Sequence, residues 1–251
     1  MEPRDVRLYP DAAAVAEAAA EHLIALASDA LAQCERFCLV LSGGATPRAL
    51  YARLARPEVA GRVDWSRVHL FWGDERCVPT DHPESNYRMV WDVWLRHAAI
   101  PAENIHRIRG EMPPPEAAAE YERELRAFFA PEPLPRFDLV LLGMGEDGHT
   151  ASLFPASPAL HERHQWAMAV ETRKPSPWRV TLTPPAINAA AHVVFLVTGA
   201  AKAERLREVL HGPREPGRLP AQIIEPASCS LTWMVDAAAA SLLYFTSDTL
   251  P

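Results

Sequence analysis

At 251 residues, 49% of them hydrophobic and 23% charged, the chain has the balance of a globular protein and the length to bury a full core. A formal net charge of −7, with no basic stripe or tail, argues against nucleic acid or an anionic membrane surface as partner, while a small anionic ligand could still bind in a local pocket field. No apolar run approaches the roughly 18 residues of a membrane-spanning helix, and the first five residues carry acids where a signal peptide would be apolar, so a cytoplasmic address is expected. The basic residues are almost all arginine; the lysines are Lys174 and Lys202. Cysteines stand at 34, 38, 77 and 229, a spacing that makes no metal knuckle, and they read as structural thiols, with Cys77 placed beside a candidate site.

Residues 11–32 read as an Ala-rich amphipathic helix that Asp11 can cap. The run FCLVL (37–41) has the look of a buried parallel strand, and a helix follows to about Leu54, with Thr46 as its cap and Pro47 at its first position. VHLFW (68–72) is a second strand, followed by a polar loop and a helix over about 86–96. Three prolines at 113–115 open a charged helix to Phe129, and residues 137–142 form the next buried strand. Further strands are expected near 166–170, 179–183, 192–197 and 230–235, with helices over 184–190 and 200–210 and a surface loop at 212–220. Strand and helix alternate with no repeat, linker or tail, which predicts one α/β domain over 1–251, a mostly parallel sheet covered by helices on both faces. In such a sheet ligands bind beyond the carboxyl ends of the strands.

Polar clusters fall at those ends. Ser42-Gly43-Gly44-Ala45-Thr46-Pro47 offers free backbone N–H groups and hydroxyls at a helix start, an anion cradle or a plain tight turn. Gly73-Asp74-Glu75-Arg76 could hold sugar hydroxyls and a phosphate, or form a local ion pair; Asp81, His82, Ser85, Asn86, Tyr87 and Arg88 add polar groups downstream. The strongest cluster is Gly143-Met144-Gly145-Glu146-Asp147-Gly148-His149-Thr150. Glycines there can expose His149 at the sheet edge, where an imidazole of ordinary pKa about 6.5 accepts a proton near neutrality. Asp147 could orient that ring, and no third metal ligand stands nearby. Lys202, in a first helical turn, opposes the helix dipole; a bound phosphate would explain it, as would simple solvation. Ser152 follows His149 too closely for a triad, and no GxSxG elbow is present, so a covalent mechanism is not indicated.

The stretches LSGGATP (41–47), WGDERCVPTDHPESNYRM (72–89) and LLGMGEDGHTASLFP (141–155) closely resemble the 6-phosphogluconolactonases, and RVTLT (179–183) and TGAAK (198–202) match in the same order. The resemblance implies a Rossmann-like fold shared with glucosamine-6-phosphate deaminases and ribose-5-phosphate isomerases. It implies hydrolysis of 6-phospho-D-glucono-1,5-lactone in the oxidative pentose phosphate pathway, with His149 as general base supported by Asp147. Gly43, Gly44, Thr46, Asp74, Arg76, Arg179 and Lys202 would then contact the substrate or its phosphate. No metal or organic cofactor is expected, and the partner is the small phosphorylated lactone itself, bound by a monomer or small homo-oligomer. The rivals are an amino-sugar deaminase and a non-catalytic sugar-phosphate-binding module. Against the first, the deaminases carry Asn-Glu-Pro after the shared DGH, where this chain has Leu153-Phe154-Pro155 and no carboxylate.

Overall fold

The computed structural model describes residues 5–172, 176–226 and 230–244, so Lys174 and Cys229 lie outside the described residues. In chain order the elements are β1 (Asp5–Tyr9), α1 (Ala12–Gln33), β2 (Phe37–Leu41), α2 (Ala45–Leu54), α3 (Pro57–Ala60), β3 (Val68–Trp72), β4 (Asp74–Arg76), α4 (Asn86–Val93), β5 (Ile105–His106), α5 (Pro114–Phe129), β6 (Leu139–Leu142), β7 (Ala167–Glu171), β8 (Trp178–Leu182), α6 (Pro184–Asn188), β9 (His192–Val197), α7 (Ala203–His211) and β10 (Ser230–Asp236). Seven strands form a parallel sheet in the order β1-β10-β9-β6-β2-β3-β5, flanked by helices; β4, β8 and β7 form a separate antiparallel sheet. No helix among the described residues is long and apolar enough to cross a membrane.

The central strands are apolar because both of their faces are covered. All five residues of β2 and all four of β6 are buried, which is why each reads as an unbroken hydrophobic run rather than an alternation. The α1 helix lays Val15, Ala16, Ala19, Ala20, Leu23, Ile24 and Ala27 into the core at helical spacing, and Asp11 caps it by accepting the Ala14 N–H at 2.8 Å. From β2 the chain steps outward on one side through β3 to β5, then returns through α5 to β6 on the other side of β2. The order therefore reverses between β2 and β6, and the loops after these two strands open a crevice there.

Two buried tyrosines pin the strand ends that feed the crevice. Tyr51 of α2 donates its hydroxyl to the Ser42 carbonyl at 2.9 Å and accepts the Ser42 N–H at 3.0 Å. Tyr121 of α5 does the same for Trp72, donating to its carbonyl at 3.0 Å and accepting its N–H at 3.0 Å. Each hydroxyl satisfies two backbone groups that the sheet leaves unpaired as the strand runs out.

Several boundaries differ from the sequence expectation. The α2 helix is capped by Gly44, not Thr46, whose hydroxyl instead meets that of Thr198 at 2.7 Å across the crevice. The helix expected over 86–96 stops at Val93, because Trp94 leaves helical geometry (φ −135°) to pack its ring between Tyr51 and Trp65. A 3-10 turn, Ala200–Lys202, precedes α7. The polar residues after β3 are a strand, β4, which pairs with β8.

Candidate active site

Beyond the carboxyl ends of β2, β3, β6 and β9 lies a cleft of about 340 Å³. It is lined by Gly43, Gly44, Thr46, Asp74, Arg76, His149, Arg179 and Lys202, which the fold brings together from five separate stretches of chain. Asp147 stands behind His149, lining the neighbouring hollow with Lys202 and Arg205.

The His149 turn is built by its own backbone. The Gly145 N–H donates to the His149 carbonyl at 2.8 Å and the Gly148 N–H to the Gly145 carbonyl at 3.1 Å, closing a tight loop. The Asp147 carboxylate accepts the His149 N–H at 3.2 Å and is hydrogen-bonded to the imidazole Nδ1. Phe154 packs against the same ring at 4.5 Å between centroids. The Thr150 hydroxyl donates to the Gly143 carbonyl at 2.8 Å, and Arg205 Nε donates to the Glu146 carbonyl at 3.1 Å, so both shoulders of the turn are tied down. With Nδ1 engaged by a carboxylate, the neutral ring keeps its proton there and leaves Nε2 as the basic nitrogen.

Arginines supply the charge. In the β4–β8 ladder Arg76 and Arg179 are directly opposite one another, a cross-strand pair of like charges. Arg179 is 7% exposed, and the buried Nε atoms of both residues have no hydrogen-bond partner among the described residues. Burial, and then the Arg76 charge, push the Arg179 guanidinium below its ordinary value. A buried and a half-buried cation that face each other with spare donors favour an anion between them, beside the counter-charge that Asp74, Glu84 and Glu75 already lend Arg179.

The acids of the same loop take different paths. Asp74 accepts the Ser152 hydroxyl at 2.6 Å and the Asn86 side-chain amide at 3.3 Å, and lies in the cleft wall. Ser152 is fully buried, a support for Asp74 and no nucleophile. Glu75 points away into the interior, where burial pushes its carboxyl up to about 7 against the pull of the N–H groups of Tyr87, Asn86 and Arg76. Burial also pushes the Cys77 thiol up to about 11, which leaves it protonated and unreactive beside the site. Asn86 was visible in the sequence only as one polar residue among several. In the structure its amide sits in the cleft wall against Gly43, where an added Cβ would lie 2.6 Å from the Asn86 Cγ and 2.9 Å from its Nδ2. Gly43 is thus required by the packing of Asn86, whatever the cleft holds.

Fold and cleft together define an α/β protein with an anion-receptive, histidine-bearing crevice at the switch point of a parallel sheet. The family described as glucosamine-6-phosphate isomerases/6-phosphogluconolactonase matches residues 10–233. The chain is 41% identical over 243 residues to the 6-phosphogluconolactonase of Nostoc sp., covering 96% of this chain and 98% of that protein. It is 44% identical over 213 residues to the 6-phosphogluconolactonase of Synechocystis sp., with 84% and 86% covered. The crystal structure of 6-phosphogluconolactonase from Thermotoga maritima superposes with a TM-score of 0.81 at 31% identity, covering 93% of this chain and all of that one. The chain belongs to the glucosamine-6-phosphate isomerase/6-phosphogluconolactonase family.

Proposed function

We propose that the protein hydrolyses 6-phospho-D-glucono-1,5-lactone to 6-phosphogluconate, the lactonase step of the oxidative pentose phosphate pathway. The observation that carries this reading is the Arg76–Arg179 pair, two guanidiniums whose buried Nε atoms have no partner among the described residues and which line the same cleft as His149. The 6-phosphate sits between these arginines, the N–H groups at the Gly44 start of α2 and Lys202. Lys202 is available for it: its ion-pair partner Glu146 stands at 4.0 Å and is 71% exposed, which makes a weak pair.

Anchoring the phosphate brings the lactone carbonyl to His149. Nε2 takes a proton from water as the water oxygen bonds to C1; the C1–ring-oxygen bond then breaks and the ring oxygen takes that proton back. Asp147 stabilises the imidazolium formed between the two steps. A lactone is an activated ester, so general-base assistance of roughly 10²- to 10⁴-fold with positioning through the phosphate is sufficient. Deamination of an amino sugar needs a further acid for ring opening, and the position beside the imidazole is held by Phe154, which has no proton to give. The acidic chain suits a cytoplasmic monomer or small homo-oligomer that uses neither nucleic acid nor membrane.

The deciding experiment follows acid release from freshly made 6-phosphogluconolactone with purified protein, with glucosamine 6-phosphate in parallel. Acid release well above the spontaneous rate supports the lactonase; ammonia release from the amino sugar overturns it in favour of the deaminase.

A further inference from the structure

One buried acid takes no part in that chemistry. Glu75 is 2% exposed and stands on β4 between Asp74 and Arg76, so strand alternation turns it away from the cleft that its neighbours line. Its carboxylate accepts four hydrogen bonds. Oε1 takes the N–H groups of Arg76 and Asn86, each at 2.7 Å. Oε2 takes the Tyr87 N–H at 2.7 Å and the Ser85 hydroxyl at 3.1 Å. Asn86 and Tyr87 are the first residues of α4, whose N–H groups have no partner within the helix. The acid thus rivets β4 to the start of α4. All four bonds demand an acceptor, and a protonated acid would aim a hydrogen at a donor.

What rides on that rivet is the cleft wall. Arg76 leaves the junction on one side and Asn86 on the other, and both line the cleft. The Asn86 Nδ2 donates to the Asp74 carbonyl at 2.9 Å and reaches its carboxylate at 3.3 Å, and the same amide lies against Gly43. We propose that Glu75 is the positioning residue of the phosphosugar cleft, holding Arg76 and Asn86 in register for an anionic substrate it never touches. The proposal rests on the cleft's being a phosphosugar site, as argued above. Without the acceptor, the β4–α4 junction opens, Asn86 releases Asp74 and Gly43, and Arg76 loses its fixed direction.

The test is Glu75→Gln, which keeps shape and replaces one acceptor oxygen by a donor. Loss of one charge-assisted hydrogen bond predicts a KM for the lactone, and a calorimetric Kd for 6-phosphogluconate, raised roughly tenfold or more. The kcat should stay within about threefold, because the His149 turn hangs on other loops. Placed in an Arg76→Ala background, Glu75→Gln should raise Kd by much less than it does alone. A folded Glu75→Gln protein with unchanged KM and Kd overturns the proposal, even with a lowered melting temperature, and so does full additivity with Arg76→Ala. Should Glu75→Gln fail to fold, Glu75→Asp decides: it keeps the charge but withdraws the carboxylate from the start of α4, a raised Kd supports the proposal, and an unchanged Kd overturns it. A wild type that binds 6-phosphogluconate without hydrolysing the lactone sinks the lactonase reading and leaves the Glu75 comparison standing on Kd. A wild type that binds neither phosphosugar overturns both.

Discussion

Replacing Gly145 by alanine adds one carbon to the molecule and places it against the proposed base. That Cβ would overlap the His149 imidazole at Nδ1 and Cε1 and lie 2.6 Å from Asp147 Oδ1. Ordinary contact begins at 3.4 Å, so the carboxylate must retreat by at least 0.8 Å and the ring by more. The ring is also held by Phe154, which packs against it at 4.5 Å between centroids. A displacement on the order of 1 Å at a reacting group lowers a rate about 10²-fold, so kcat for Gly145→Ala should fall by about that factor. Folding should survive: Gly145 does not adopt the left-handed backbone that alanine resists, so the cost falls on moving the His149 and Asp147 side chains. The assay is acid release from fresh lactone, run beside a thermal melt and a Kd for 6-phosphogluconate. A folded Gly145→Ala protein that keeps wild-type kcat would refute the claim that catalysis depends on where this ring stands.

His149→Ala should lower kcat by roughly 10²- to 10⁴-fold with KM changed only a few-fold, and full activity in this variant would mean that another group is the base. Lys202→Ala should raise KM for the phosphorylated lactone about tenfold while leaving an unphosphorylated lactone indifferent; equal losses on both would show that Lys202 does not read the phosphate. Away from the site, burial and then the neighbouring His106 push the His69 imidazole down to about 4 from its ordinary 6.5. The unfolded chain therefore binds this proton more readily than the folded one, so its contribution is complete above pH 6.5 and is lost as pH falls from 6.5 to 4. His69→Asn should flatten that limb of a melting-temperature profile, and parallel profiles for variant and wild type would contradict the assignment.

What could be read from the chain was what is decided locally. Strands β2, β3, β6 and β9 announce themselves because burial on both faces leaves them little but apolar residues. The His149 turn announces itself because glycines and acids at a strand end have few other uses. The edge strand β1 stayed hidden because its residues are half-exposed or exposed and carry no apolar run. The supports of the site stayed hidden because they join distant residues: Ser152 to Asp74, Asn86 to Gly43, Tyr121 to Trp72.

The triplet Asp74-Glu75-Arg76 shows most clearly where local reading stops. By residue type alone the three charged residues read either as a sugar-phosphate site or as a local ion pair, and only the family resemblance singles out Asp74 and Arg76. Pairing with β8 makes them a strand, in the register Asp74↔Thr181, Glu75↔Val180 and Arg76↔Arg179. Alternation then sends the outer two to the cleft and the middle one to the interior. Two adjacent carboxylates thereby acquire opposite surroundings, Asp74 in the wall of the site and Glu75 beneath a helix start. The same register sets Arg76 against Arg179, two like charges that Asp74, Glu84 and Glu75 partly offset and that an anion between them would offset further. The positive charge that lines the cleft is therefore a property of strand pairing across about a hundred residues of chain, which is why a motif could suggest it and only the fold could place it.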